Sequence, residues 1–204
     1  MPRTIDHDAR RADLAEAVWR IILSRGIGAV SVRTVAAEAG VAVGSLRHLF
    51  PTRSGLIAFS AELMIARATE RVRSVVQRGD PAGDALALLR QLLPLTPESR
   101  AELEVNLALI AETPALPDLA DIRDEAAAQI RQLCRSVALS LTGASADAAG
   151  LERDARRLHA IVDGLALQLL HGPAADGLAS PAEQAAALDV LRAEIARLGA
   201  EAGR

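Results

Sequence analysis

Lysine is absent from the 204 residues, so every basic side chain other than histidine is an arginine. An arginine carries a planar fork of N–H donors that suits phosphate groups and guanine bases, whereas lysine carries a single point charge. The absence of lysine beside abundant alanine is also typical of a coding bias. That second interpretation carries no information about function.

Cysteine and long apolar stretches are equally scarce. Cys134 is the single cysteine, so the chain cannot form an internal disulfide, and its apolar helical surroundings predict a small core residue rather than a nucleophile. The apolar runs are far shorter than the roughly 18 to 20 residues that span a bilayer, and the start MPRTIDHDARR lacks the apolar centre of a signal peptide. We therefore expect a cytoplasmic protein.

Sequence motifs of catalysis are missing as well. The chain has no glycine-rich phosphate loop, no G-x-S-x-G, no H-E-x-x-H and no paired cysteines. We expect no enzyme, no catalytic residue, no cofactor and no metal site. Of the four histidines, only His159 has an acid one helical turn away, at Asp163. That pair fits metal binding or proton transfer, and it fits equally a hydrogen-bonded pair or a subunit contact.

Charge is unevenly distributed along the chain. Residues 1–60 contain eight arginines and five acids, a net charge of +3, whereas residues 61–204 contain fifteen arginines and twenty-one acids, a net charge of −6. Such asymmetry is a sign of an end that faces nucleic acid. Arg10 and Arg11 lie near the start of the first predicted helix, where phosphate contact and ordinary solvation explain them equally well.

Helical periodicity predicts the fold class. No segment shows the two-residue alternation of a strand or a strand-turn-strand signal, so the chain is predicted to be all-α, with about nine helices. A first helix is expected at Asp6–Arg25. The later helices are expected at Ser54–Arg78, Ala82–Leu93, Glu98–Thr113, about Asp118–Leu141, from Leu151, and from Pro181 after an N-cap at Ser180, with an interhelical loop at Gly143–Gly150.

The segment Ser31–Arg53 has the pattern of two short helices joined by a turn. Val32, Val35, Ala36 and Ala39 recur on one helical face after a possible N-cap at Ser31. Gly40 permits a left-handed turn, and a second helix follows whose apolar face is formed by Leu46, Leu49 and Phe50 before Pro51 ends it.

The outward face of the second helix carries small and hydrogen-bonding groups and no acid. A helix with such a face fits the major groove of DNA. The predicted DNA-binding residues are Arg33, Thr34, Val43, Gly44, Ser45, Arg47, His48 and Arg53.

These residues carry a family resemblance. A helix, a helix-turn-helix containing EAGVAVGSLRHLF, and a further helix that begins after Phe50-Pro51-Thr52-Arg53 resemble the DNA-binding domain of TetR-type (tetracycline-repressor-like) transcriptional regulators. The resemblance implies a helix-turn-helix DNA-binding domain at 1–54 and a helical-bundle domain for ligand binding and dimerisation at 55–204. It also implies that Arg53 and the amino end of the following helix contact phosphate.

Four positions depart from the pattern of that family. Ala42 stands where the family usually has Ser or Thr, so the second helix lacks a side-chain N-cap. Arg47 stands in place of a tyrosine and could reach a phosphate or a guanine. Arg53 replaces a lysine, and Gly55 replaces a common acid, which leaves the capping box of Thr52 incomplete.

The last two predicted helices have apolar seams that suit side-by-side packing. Their residues repeat three and four apart, and two such helices could pair with their copies in a second chain as a four-helix bundle. Burial within one subunit explains the same seams. The predicted dimer interface consists of Leu158, Val162, Leu165, Leu169, Leu188, Leu191, Ile195 and Leu198.

The residues between about Leu56 and Leu170 include a single aromatic, Phe59, so a ligand pocket there would be aliphatic with a few polar groups. Each candidate polar group is also explained by a surface or capping position. The predicted ligand-binding residues are Asn106, Glu112, Arg131, His159 and Gln168.

Together these features predict a transcriptional regulator that binds a palindromic operator in double-stranded DNA as a homodimer. By the family resemblance it is a repressor relieved by an unknown small-molecule effector, although the sequence does not distinguish repressor from activator. The alternative is an all-α small-molecule-binding or interaction protein whose helix-turn-helix only serves packing. Salt-dependent binding to duplex DNA distinguishes the two.

Overall fold

The structure, a computed structural model, describes residues 7–143, 149–171 and 178–202. Within these ranges the fold is all-α, as predicted, with nine α-helices, three short 3₁₀ turns at Ile27–Ala29, Arg90–Leu92 and Pro117–Leu119, and no strand. The helices are α1 His7–Arg25, α2 Val32–Glu38, α3 Val43–Leu49, α4 Arg53–Arg73, α5 Pro81–Leu89, α6 Pro97–Glu112, α7 Ala120–Thr142, α8 Ala149–Leu170 and α9 Pro181–Ala202.

The chain forms two compact units. One unit comprises residues 1–67 and 104–124, and the other comprises residues 68–103 and 125–204. This division follows packing, because the apolar side chains of Val105, Leu109 and Leu119 belong to the same core as α1 to α4. The predicted functional domains at 1–54 and 55–204 stay a prediction. A boundary drawn along the sequence cannot show such a return of the chain.

The first unit is built around the apolar faces of α1, α2 and α4. Its fully buried side chains include Ile21, Leu46 and Leu56. Trp19 lies at the edge of this core, where its indole Nε1 donates to the backbone oxygen of Ser60 at 3.2 Å. A partly buried indole with a satisfied N–H is a favourable arrangement for tryptophan. Val30 is buried in the same core, and Ile27 and Phe50 pack against it.

The second unit has its own core, in which α9 packs against α5 and α8. Two buried carboxylates between α8 and α9 are compensated by arginines: Arg197 contacts Asp154 at 3.2 Å, and both Arg197 and Arg157 contact Glu194, at 2.7 and 2.9 Å. Buried charges require such partners.

The predicted N-cap of α9 is present, because Ser180 and Glu183 exchange hydrogen bonds. The Glu183 carboxylate accepts hydrogen bonds from the hydroxyl and from the N–H of Ser180, and these two bonds, the first more than the second, lower the pKa of Glu183.

The end of α4 was predicted wrongly. The helix stops at Arg73 rather than Arg78, and Val75 to Arg78 lie outside any helix. The Asp84 carboxylate accepts the backbone N–H groups of Arg78 and Gly79 at 2.8 and 3.0 Å, so the segment is held as a loop. Periodicity alone does not reveal such a contact from the following helix.

Candidate DNA-binding surface

The start of α2 is fixed by a reciprocal capping box. The Ser31 hydroxyl accepts the N–H of Thr34 at 3.1 Å, and the Thr34 hydroxyl accepts the N–H of Ser31 at 2.9 Å. Thr34 also donates to the backbone oxygen of Ala29 at 2.8 Å. The predicted N-cap at Ser31 is confirmed. Thr34 was predicted as a DNA contact, and its hydroxyl is engaged within the chain.

The turn between α2 and α3 follows the predicted glycine geometry. Gly40 has a φ of +65°, a left-handed conformation that L side chains rarely adopt. The N–H of Val41 donates to Ala36 O at 2.9 Å, and the N–H of Gly40 donates to Ala37 O at 3.3 Å. These two bonds form a Schellman motif, which satisfies the last carbonyls of α2 and sets the direction of α3.

Helix α3 presents one buried side chain and a broad exposed face. Leu46 is 1% exposed and anchors the helix in the first core, whereas Leu49, which was predicted to share its buried face, is 59% exposed. In a helix of only seven residues, one strong anchor suffices, and Leu49 lies at its carboxyl end. The exposed residues Val43, Gly44, Ser45, Arg47 and His48, called the recognition surface below, are those predicted from the sequence.

The N-cap of α3 is Ala42, which has an extended backbone and no side chain that can accept a hydrogen bond from the helix. The predicted lack of a side-chain cap is therefore confirmed. The amino end of α3 keeps unsatisfied N–H groups, which carry a partial positive charge. Such N–H groups suit contacts with phosphate oxygens.

The electrostatic character of this region is basic. Between Ser31 and Arg53 the one acid is Glu38, and its carboxylate is bound by Arg20 at 2.8 Å and by Arg25 at 3.6 Å. Arg33 and Arg47 are exposed. The helix-turn-helix therefore presents exposed arginines while its single negative charge is compensated.

Arg53 has a different environment from the recognition surface. Its Nε donates to Val30 O at 3.1 Å, and its Nη2 donates to Ile27 O at 2.8 Å and to Glu112 Oε1 at 3.0 Å. Its predicted contact with phosphate stays a prediction. The start of α4 is capped by Thr52, whose hydroxyl accepts the N–H of Gly55 at 3.1 Å without a reciprocal side chain, as the sequence indicated.

Aromatic contacts lie between the end of α3 and α4. The rings of Phe50 and Phe59 lie 4.9 Å apart, and the guanidinium of Arg11 lies 4.8 Å from the centre of the Phe59 ring. The position of Arg11, which the sequence left open, is explained by this cation–π contact.

The predicted ligand-binding residues are not gathered into one described pocket. In the first unit, Asn106 is partly buried and Glu112 is paired with Arg53. In the second unit, Arg131 and Gln168 are exposed, and His159 is partly buried with its Nε2 at 3.3 Å from Asp163 Oδ2. Their role in ligand binding stays a prediction.

A cleft of about 570 Å³ lies in the second unit, beside the loop that was predicted as helix. Arg71 lines it and binds Glu102 through two hydrogen bonds, at 2.7 and 3.1 Å. The Nε of Arg71 is buried and has no hydrogen-bond partner among the described residues. Sequence reasoning missed this cleft because it placed residues 74–78 in a helix.

Most of the side chains predicted to form the dimer interface are buried inside the second unit. With the exception of Leu188, which is partly buried, their side chains are buried within the single chain, in the core that α8 and α9 share. The exposed large apolar residues on the same two helices are Leu167 and Val190. A dimer interface on these helices therefore stays a prediction.

Cys134 is fully buried in the second core, as predicted. Burial, with a smaller contribution from the Asp163 carboxylate, raises the pKa of its thiol to about 12.

The described residues contain no group of three or more His, Cys, Asp or Glu side chains that could hold a metal ion. Nor does any described helix combine the length and apolar character needed to cross a membrane.

Comparison with known proteins identifies the family. Residues 14–58 match the model of bacterial regulatory proteins of the tetR family, and residues 81–200 match the model of the BetI-type transcriptional repressor C-terminal domain. The HTH-type transcriptional regulator PksA of Bacillus subtilis (strain 168) is 37% identical over 176 residues, which are 85% of this chain and 84% of PksA.

Solved structures agree with this assignment. A transcriptional regulator from Rhodococcus sp. Rha1 is similar with a TM-score of 0.77 at 31% identity, over 92% of this chain and 96% of that one. A regulator from Pseudomonas aeruginosa PAO1 shares the fold with a TM-score of 0.81 at 23% identity, over 98% and 94% of the two chains. The chain therefore belongs to the TetR family of bacterial transcriptional regulators, with α2 and α3 as its helix-turn-helix.

Proposed function

We propose that this regulator is a repressor that binds a palindromic operator as a homodimer and is released by a small-molecule effector. The observation that supports DNA recognition most strongly is the exposed, acid-free face of α3, held by a capped α2 and a Schellman turn. An α-helix with such a face fits the width of the major groove, where base edges can be distinguished.

The proposed DNA contacts of α2 and α3 divide into groups that read bases and groups that position the helix. Arg47 has the length and donor geometry to contact guanine O6 and N7, and Ser45 and His48 add shorter hydrogen-bonding groups. Val43, which is 38% exposed, offers an apolar contact for a thymine methyl group. Arg33 at the start of α2 and Gly44 near the start of α3 are proposed to approach the phosphate backbone, whereas the hydroxyl and N–H of Thr34 are engaged within the chain.

The proposed dimer would present two recognition helices to one face of the DNA. Two copies of α3 related by a twofold axis reach successive major grooves when they lie about 34 to 36 Å apart, or a multiple of that distance. The operator is then a palindrome with the same spacing. Leu167 and Val190 are the large apolar side chains that are exposed on the described parts of α8 and α9, and a second chain could cover them.

Release by an effector requires that the effector bind better when the two recognition helices have the wrong spacing for DNA. Such a ligand shifts the population away from the DNA-competent state, and typical coupling between two sites is roughly 1 to 3 kcal/mol. A compound that raises the melting temperature of the protein and leaves operator affinity unchanged would contradict an effector role for that compound.

Salt-dependent binding to duplex DNA from upstream of the regulator's own gene tests DNA recognition. We expect the logarithm of the binding constant to fall linearly with the logarithm of the salt concentration, with a slope of about −0.9 for each phosphate that the protein neutralises. The affinity for this duplex should exceed the affinity for a random duplex by about 10³-fold or more. Equal affinity for the two duplexes at every salt concentration would contradict recognition of that site. The variant Arg47→Ala should lose part of the preference and retain most of the salt dependence.

A further inference from the structure

Arg53 occupies the position at which the family resemblance implies a phosphate contact, yet its side chain is directed to groups of its own chain. We propose that Arg53 is a positioning residue, which together with Glu112 fixes the helix-turn-helix for operator binding instead of neutralising a phosphate. The proposal rests on the proposed DNA-binding function and deepens it. Both residues belong to the first compact unit.

The hydrogen bonds of Arg53 converge on the segment that leads into α2. Two nitrogens of the guanidinium supply three hydrogens to three acceptors: Nε donates to Val30 O at 3.1 Å, and Nη2 donates to Ile27 O at 2.8 Å and to Glu112 Oε1 at 3.0 Å. Val30 directly precedes Ser31, the N-cap of α2. Arg53 therefore connects the first residue of α4 to the 3₁₀ turn and the beginning of the helix-turn-helix.

Glu112 holds the guanidinium in this orientation. It is the last residue of α6, and its side chain is about as shielded as that of Arg53, at 24% and 31% exposure. A carboxylate at 3.0 Å compensates much of the charge that a phosphate would require. Without Glu112, only the two backbone carbonyls would hold the Arg53 guanidinium in place, in competition with water and with DNA phosphates.

A lysine cannot reproduce this arrangement. Its three N–H donors leave from a single nitrogen, whereas Arg53 donates from two nitrogens of a planar group. The substitution Arg53→Lys therefore keeps the charge and removes the bracing geometry. A residue that only contacts phosphate would tolerate this change, and the family resemblance indeed implies lysine at this position.

Glu112→Gln distinguishes a positioning role of Glu112 from a purely electrostatic one, because the two roles predict opposite changes in operator affinity. Removing a carboxylate makes the protein more positive, which by itself strengthens DNA binding. If Glu112 positions Arg53, the same substitution weakens operator binding. Glu62→Gln is a matched control, because Glu62 is an exposed acid on α4 and its substitution removes the same charge.

The test measures affinity for the operator that the unchanged protein selects, and for a random duplex, as a function of salt. We expect Arg53→Lys and Glu112→Gln each to weaken operator binding by roughly tenfold or more, with an unchanged salt slope, and the double variant to lose no more than the stronger single one. Glu62→Gln should bind as the unchanged protein or slightly tighter. Thermal melting and stoichiometric titration establish the folded and active fractions, so affinities are compared per active dimer.

Three results would overturn the positioning role while leaving DNA binding intact. They are full operator affinity of Arg53→Lys, equal or tighter binding by Glu112→Gln, and a salt slope that falls by about 1.8 per dimer in Arg53→Ala, as expected for the loss of one phosphate contact in each of two chains, with equal losses on operator and random DNA. Failure of the unchanged protein to prefer any duplex would instead refute the proposed function, and the positioning role with it.

Discussion

Ser31 and Thr34 satisfy each other's backbone N–H groups at the start of α2, at 3.1 and 2.9 Å. Thr34 also reaches back to Ala29, so one hydroxyl ties the end of the 3₁₀ turn to the helix. Removing this hydroxyl in Thr34→Val should lower the free energy of unfolding by about 1 kcal/mol, as for other lost caps. Urea unfolding measures this loss. The exposed neighbour Arg33→Ala should change stability by less than about 0.5 kcal/mol, and equal losses in both variants would contradict the capping role.

Ala42 leaves α3 without a side-chain cap although its backbone already has the extended conformation that a cap requires. Ala42→Ser should therefore stabilise the protein by about 0.5 to 2 kcal/mol, because the new hydroxyl can accept an N–H of the first turn. Thermal and urea unfolding both report the gain. Ala42→Val has no acceptor and serves as the control; an equal gain in that variant would exclude capping as the cause.

Leu46 and Leu49 are both leucines of α3 and should respond differently to truncation. Leu46→Ala removes a fully buried side chain and should lower the free energy of unfolding by roughly 2 to 5 kcal/mol, whereas Leu49→Ala should change it by less than about 0.5 kcal/mol. Comparison of the two urea unfolding curves is sufficient. A large loss in Leu49→Ala would show that Leu49 packs in the core.

Arg47 should affect base preference rather than general affinity. If it contacts guanine, Arg47→Ala should reduce discrimination at one operator position by about 1 to 3 kcal/mol. Competition binding with operators changed at single base pairs measures this quantity. Equal losses on the operator and on random DNA would assign Arg47 to the phosphate backbone instead.

Cys134 should resist thiol reagents in the folded protein. Its thiol has a pKa of about 12 against an ordinary 9.0, first because of burial and then because of Asp163. A thiol pKa that is raised by folding contributes stability that is present below pH 9 and is lost as the pH rises toward 12. We expect slow reaction at pH 8 and fast reaction after denaturation. Rapid labelling of the folded protein would contradict its burial.

Much of the fold was predictable because local chemistry determines it. The Ser31 cap, the left-handed Gly40 and the Ser180 cap are specified by residues within a few positions of each other, and the sequence predicted all three correctly. The end of α4 was missed, and the loop that follows it is held by Asp84, which lies on the next helix. Local patterns do not contain that information.

The candidate site shows the same division. The exposed face of α3 follows from helical periodicity and a single anchor at Leu46. The partners of Arg53 could not be inferred, because Ile27 and Glu112 lie 26 and 59 positions away along the chain. The apolar seams of α8 and α9 were recognised, but periodicity does not distinguish packing inside one chain from packing between two.

Selection of bound duplexes from a random DNA pool tests the central claim most directly, because it examines recognition and pairing of two chains together. We expect enrichment of a palindrome whose half-sites are centred about 34 to 36 Å apart, or a multiple of that distance, bound by two chains per site. A pool that remains random after several rounds, or an enriched site without twofold symmetry bound by a single chain, would contradict the proposed dimeric operator recognition.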